Sequence, residues 1–218
     1  HTSSIAVTGV QTCALPIFPE AFSSFRAAGL HLPWTHAGEA GGGQLVARAG
    51  LLLRDNVLHR AQIEKAYLKA IAGARHEVVI ANAYFLPGRR LRKALVMAVH
   101  RGVRVRLILQ GRYEYFMQYH AVRPVYATLL AAGVEIHEYT ASFLHAKVAV
   151  VDPQHGRPWA TVGSSNLDPL SLLLAREANV VVADAVFARQ LHQRLEQVMA
   201  EHCTPVSVES YRRRPWHQ

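Results

Sequence analysis

The sequence predicts a layered α/β sandwich built on a mixed β-sheet, and three observations carry that prediction. The 218 residues are 50% hydrophobic and only 18% charged, enough apolar material to close one sizeable core. From about Gln44 onward the apolar pattern switches repeatedly between the helical and the strand period. The alternation ends in a cluster of strands, the signature of a sheet that mixes parallel and antiparallel pairs.

Taken in order, a short strand around Leu45 to Arg54 leads to a helix from about Val57 to Arg75. Ile63, Ala66, Tyr67, Ala70 and Ile71 share one face of it, with Asp55 or Asn56 as the candidate cap. Glu77 to Phe85 reads as a buried strand, and Pro87-Gly88 breaks the chain. The next helix carries Leu91, Leu95, Ala98 and Val99 on one stripe and stops at Gly102. Val103 to Gln110 alternates as a strand. An aromatic loop, Tyr113 to Met117, precedes a helix to about Ala132, in which Pro124 must occupy the first turn or shorten the helix. Val134 to Tyr139, Ala146 to Val151, Trp159 to Gly163 and Asn179 to Ala183 are further strands. The last helix runs from Ala185 to about Glu201, with Phe187, Leu191, Leu195 and Val198 in register.

The ends of the chain read differently. His1 to Ile17 has no periodicity and resembles a translated sequencing adapter, so it is set aside from the fold. Residues 18–43, with Gly41-Gly42-Gly43, read as a linker or a truncated remnant of a preceding half. The catalytic domain is expected over 44–204 and a basic tail over 205–218, where Arg212, Arg213 and Arg214 stand beside Trp216.

Composition narrows the function. No run approaches the ~18–20 consecutive apolar residues of a membrane span. Cys13 and Cys203 are too few and too far apart for a disulfide framework or a metal site, and they fit a reducing cytoplasm. No Gly-rich phosphate loop follows the first strand, which removes the main support for a nucleotide-binding fold. A net charge of +9, carried by 20 arginines and only four lysines, points to a polyanion or an anionic lipid surface.

The chemistry concentrates in Phe143-Leu144-His145-Ala146-Lys147-Val148-Ala149-Val150-Val151-Asp152. His145 and Lys147 lie two apart on a predicted strand, so their side chains share a face. An imidazole and an ammonium in an apolar strand cost desolvation energy unless an anion binds there or a carboxylate pairs with them. A phosphate serves that need. Asp152 has the opposite parity and is expected to position backbone or a neighbouring cation rather than to react. In the turn Gly163-Ser164-Ser165-Asn166-Leu167-Asp168, Ser164 and Asn166 are candidate donors to phosphoryl oxygens. Glu177, eleven residues beyond Asn166, is a candidate orienter of the imidazole.

The ordered set HxKxxxxD, GSSN and a Glu before a Val-rich strand resembles the phospholipase D superfamily. The stretches Arg54-Asp55-Asn56, Ala81 to Gly88 and Gly163 to Ser171 look like its bacterial cardiolipin synthase branch, over about Leu45 to the C-terminus. The resemblance implies a phospholipase D-like α/β/α sandwich and phosphatidyl transfer through a phosphohistidine, with His145, Lys147, Asp152 and Glu177 as catalytic residues. It implies that Lys147, Ser164 and Asn166 hold the phosphate, with no metal and no cofactor. It also implies phosphatidylglycerol as the lipid and peripheral attachment to the cytoplasmic side of a bacterial inner membrane.

Such synthases carry the motif twice, and of 13 histidines only His145 stands in an HxK setting. The chain is therefore expected to be the second half, inactive alone, with His145 as the general acid by resemblance. Its complement would be the missing half or a second copy. The Tyr113 to Met117 loop would rim an acyl-chain entry, with Arg112 or Arg123 meeting head groups. Two alternatives stay open: a homodimeric single-motif endonuclease, and a non-catalytic module that binds anionic phosphate.

Overall fold

The computed structural model describes residues 49–55, 59–112 and 116–212. Eight strands, β1 (Ala49–Arg54), β2 (Glu77–Asn82), β3 (Arg104–Gln110), β4 (Glu135–Tyr139), β5 (Lys147–Val151), β6 (Trp159–Gly163), β7 (Glu177–Val182) and β8 (Cys203–Val206), form one sheet in the order β1-β7-β6-β5-β2-β3-β4-β8. The pairs β2/β3 and β3/β4 are parallel and the other pairs antiparallel. The expected mixed α/β sheet is present.

Strand alternation sends successive side chains to opposite faces and so builds two cores. On one face Val78, Ile80, Val105, Leu107 and Ile136 are covered by three helices, α1 (Gln62–Gly73), α2 (Arg89–His100) and α3 (Phe116–Ala131), through Ile63, Tyr67, Leu91, Leu95, Tyr126 and Leu129. On the other, Val79, Ala81, Val148, Val150 and Val162 meet Phe187, Leu191, Leu195 and Met199. Those four come from one long helix, α5 (Ala185–His202), after the short α4 (Pro169–Leu173). Each such buried side chain contributes roughly 1.5–3 kcal/mol. Asp184 caps α5 by accepting the Phe187 N–H at 2.7 Å.

Several boundaries differ from the sequence reading for identifiable reasons. Asp55 accepts the His59 N–H at 2.9 Å, so it caps a turn ahead of α1, which starts only at Gln62. Pro124 lies inside α3 instead of in its first turn. Beyond residue 204 packed structure continues: β8 pairs with β4 and α6 (Val208–Arg212) sets Tyr211 against Tyr126, ring centroids 5.4 Å apart. Pro205 hid this strand, yet an edge position tolerates its missing N–H. The expected adapter segment, the linker, Tyr113 to Tyr115 and residues 213–218 lie outside the described residues.

The sheet has two unlike rims. At one, β5 ends in Asp152, whose φ of +46° is tolerated by an aspartate better than by most residues. Its carboxylate accepts the backbone N–H groups of Arg75, His76 and Glu77 at 2.8, 2.8 and 2.9 Å, which fixes the entry to β2 beside the end of β5. At the same rim the buried Arg106 guanidinium donates to Glu77 at 2.6 Å and to Glu196, and His192 Nε2 lies 2.7 Å from Glu77. Removing a buried carboxylate that satisfies three amides leaves them orphaned. Asp152→Ala is expected to lower stability by about 2–4 kcal/mol and Asp152→Asn by roughly half as much, read from urea unfolding midpoints.

Candidate active site

The opposite rim gathers the polar residues. Register pairs Asn82 with Lys147, Gly163 with Asn179 and Arg54 with Glu177, so the ends of β1, β2 and β6 meet the starts of β5 and β7. Ala83 N–H donates to the Ala146 carbonyl at 2.9 Å, and Leu144 N–H donates to Gln110 Oε1 at 3.1 Å. These bonds fix the segment that leads into β5, and with it His145.

Lys147 is 3% exposed, while His145, two residues earlier on the same side, is open to solvent. The Lys147 ammonium lies 3.3 Å from Nδ1 and 3.4 Å from Nε2 of the imidazole. Partial burial and the adjacent ammonium both hold the His145 pKa below the usual histidine value. The imidazole is accordingly biased to its neutral form, with a lone pair to use.

Glu177 lies within electrostatic reach of Lys147. Burial pushes its carboxyl above the ordinary carboxylate range, against the opposing pull of hydrogen bonds from Ser164 and Ser171 and the charge of Lys147. The Ser164 hydroxyl donates to Glu177 and accepts the Ala178 N–H at 3.1 Å. That hydroxyl is engaged within the chain, which differs from the expected donation to a phosphoryl oxygen. Glu177 accepts hydrogen bonds from Ser164 and Ser171 and feels the charge of Lys147, where the sequence reading had it orient the imidazole. Asn166 follows in the same turn, half-buried, with its Oδ1 meeting no donor among the described residues.

His145, Lys147, Ser164, Asn166 and Glu177 are thus brought to one rim. Asp152 is not: five residues beyond Lys147 on a regular strand, it lies about 16 Å away at roughly 3.3 Å per residue, engaged with backbone. Three residues at this rim were not singled out from sequence. Arg54, 2% exposed, faces Glu177 across the β1/β7 pair and donates to the Ala175 carbonyl. Asn82 and Asn179, both 0% exposed, accept the Leu167 and Ser165 N–H groups. The available signal was an amide at the end or start of an otherwise apolar strand, Val78-Val79-Ile80-Ala81-Asn82 and Asn179-Val180-Val181-Val182.

Metal-ligating chemistry appears, among the described residues, at the far rim only, where Glu77, His192 and Glu196 hold ligand atoms within 4.8 Å of one another. Arg106 already supplies a cation there, bonded to both carboxylates and 3.3 Å from His192 Nε2. At the rim that carries His145 the groups suit a tetrahedral anion: a buried ammonium, an imidazole biased to its neutral form and a polar turn.

Comparison with known proteins agrees with this chemistry. The family described as "Cardiolipin synthase, PLD-like domain" matches residues 67–199. Cardiolipin synthase B of Escherichia coli (strain K12) is 45% identical over 170 residues, covering 78% of this chain and 40% of that protein. A probable cardiolipin synthase of Bacillus subtilis (strain 168) is 34% identical over 135 residues, 62% of this chain and 26% of that protein. The chain therefore spans about 40% of the length of the Escherichia coli relative. Among solved structures, the phospholipase D family member Nuc from Salmonella typhimurium superposes with a TM-score of 0.61 at 18% identity, covering 74% of this chain and 99% of that one. Phosphatidylserine synthase from Haemophilus influenzae Rd KW20 gives 0.59 at 16%, covering 73% and 40%. At such identity the likeness concerns the fold. Because the matched span contains the whole segment from His145 to Glu177, the chain belongs to the phospholipase D superfamily, in its cardiolipin synthase PLD-like domain family.

Proposed function

We propose that the chain is one catalytic half of a cardiolipin synthase, a phosphatidyltransferase that moves a phosphatidyl group between phosphatidylglycerol molecules. The observation that carries this reading is the Lys147 ammonium, buried and 3.3 Å from a solvent-open imidazole, in a chain 45% identical to a cardiolipin synthase B. One imidazole attacks phosphorus and the P–O bond to the leaving glycerol breaks. A second imidazole gives that oxygen its proton, then takes a proton from the acceptor hydroxyl as the phosphohistidine is displaced. His145 supplies one of the two. Its depressed pKa suits the attacking or proton-accepting form; to serve as the acid it needs a proton, and a bound phosphate ester favours that proton electrostatically. Lys147 and Asn166 hold the equatorial oxygens, and Glu177 acts through Ser164 and Lys147. The second imidazole comes from a complementary half or a second copy of the chain.

The surface around the rim supports a lipid partner. Tyr84, Phe143 and Leu174, 38%, 55% and 62% exposed, stand on the segments flanking β2, β5 and β7. Exposed Arg89, Arg90, Arg112 and Arg176 lie on the same segments or on those next to them. Apolar side chains among arginines match an anionic bilayer surface. No helix among the described residues is long and apolar enough to cross a membrane. The exposed apolar and arginine side chains support peripheral attachment, and the family resemblance suggests the cytoplasmic side of a bacterial inner membrane.

Three measurements test the proposal. Joined to a segment carrying a second HxKxxxxD, the chain is expected to make cardiolipin from phosphatidylglycerol vesicles, and His145→Ala to slow this by ~10²–10⁴-fold. An unchanged rate in that variant, or cleavage of DNA in place of lipid transfer, overturns it in favour of the binding-module or the endonuclease reading. In an NMR titration His145 should protonate below the ordinary ~6.5 of histidine. Its pKa should rise in Lys147→Met, where a like charge is gone, and also when inorganic phosphate is added. Finally, Phe143→Ser with Leu174→Ser should weaken sedimentation with phosphatidylglycerol vesicles by at least ~10-fold, consistent with ~1.5–3 kcal/mol per buried large side chain.

A further inference from the structure

We infer that Asn82 and Asn179 are positioning residues: a two-sided clamp on the backbone around Asn166 that sets this side chain against Lys147. The inference rests on the phosphoryl-transfer reading and adds to it the device that holds the phosphate turn in place. The two N–H groups that flank Asn166 in sequence are those of Ser165 and Leu167. Asn179 Oδ1 accepts the first at 3.3 Å and Asn82 Oδ1 accepts the second at 3.1 Å. Both asparagines are 0% exposed, and they come from strands on opposite sides of β5 and β6 in the sheet, so the turn is gripped from two directions. The Leu167 carbonyl also accepts the Leu86 N–H at 3.0 Å, which ties the segment after β2 to the same turn.

Two details fit positioning better than generic core polarity. A Cβ on Gly163 would lie 2.2 Å from Asn179 Oδ1 and 2.6 Å from the Ala178 carbonyl oxygen. The glycine that opens the turn is therefore the space through which Asn179 reaches the Ser165 amide. Asn82, for its part, uses only half of its side chain: Nδ2 is buried and meets no acceptor among the described residues, a cost for any core amide. An aspartate would make the Leu167 bond without that orphan. It would also place a carboxylate directly across from Lys147, its register partner, and neutralise the cation that a phosphate needs. An amide is the acceptor that holds the turn without adding a negative charge across from Lys147.

The test uses the whole chain and inorganic phosphate as the probe, with binding read from the His145 ring resonance. Asn82→Ala and Asn166→Ala are each expected to weaken phosphate by ~10-fold or more, the scale of one hydrogen bond to a charged group. Because Asn82 acts through Asn166, the double variant should be no weaker than the worse single one, a non-additivity that a loss of general stability would not produce. In the wild-type chain the Ser165 and Leu167 amides should be protected from hydrogen exchange. Wild-type binding that survives Asn82→Ala, fully additive losses, or unprotected Ser165 and Leu167 amides would each overturn the clamp while leaving phosphate binding intact. A wild-type chain with no measurable affinity for phosphate overturns the phosphoryl-transfer reading, and the clamp's role with it.

Discussion

The organisation of the molecule follows from one buried cation. Lys147 begins the central strand β5 and is 3% exposed, so its ammonium has lost most of its hydration, a penalty of several kcal/mol unless compensated. At the rim an imidazole and a carboxylate take the place of that water. The ammonium lies 3.3 Å from the neutral-biased imidazole of His145, and Glu177 acts on Lys147 across space while its own carboxyl is raised by desolvation and hydrogen-bonded by Ser164. In the proposed function this ammonium is the group that meets an anionic phosphoryl oxygen.

Such a site has to be held by structure that does not depend on it, and the far rim supplies this. There Asp152 satisfies three amides, and Arg106, Glu77, His192 and Glu196 close a charge network between β2, β3 and α5. The motif HxKxxxxD therefore joins two unlike tasks through one short strand. Its first two residues stand at the rim proposed for phosphate and its last anchors the other end of β5 to the entry of β2. Four residues of strand separate Lys147 from Asp152, which places an aspartate of opposite parity in the same motif.

How much of this was legible in the sequence depended on the range of the interaction. Period alone located β1 to β7 and the longer helices α1, α2, α3 and α5, because alternation and the helical stripe are local, and it left β8 and the short α4 and α6 unseen. Parity placed His145 with Lys147 and set Asp152 apart, and Glu177 fell at the first residue of β7. The rest depends on contacts across long stretches of chain. Asn82 meets Leu167 from 85 residues away, so nothing near Asn82 announces its partner. Ser164 was read as a ligand donor because its neighbour in sequence is a polar turn; in the fold its neighbour is Glu177, thirteen residues on. Pro124 misled for the same reason: it breaks a local rule that the surrounding helix tolerates.

The proton inventory then argues for a partner. In-line displacement at phosphorus needs one group to attack and another, on the far side, to protonate the leaving oxygen. Of the 13 histidines in the sequence only His145 has a lysine two residues on, and at the described rim it is the imidazole beside the buried ammonium. Glu177 holds its proton more tightly than an ordinary carboxyl, but its hydrogen bond is to Ser164, and Lys147 draws on its charge. Asp152 is about 16 Å away along β5 and fully engaged. One imidazole cannot stand on both sides of one phosphorus atom. Under the proposed phosphatidyl transfer, a rim with one reactive histidine among the described residues, open to solvent, fits half an active centre whose other imidazole would approach from the opposite side of the phosphate.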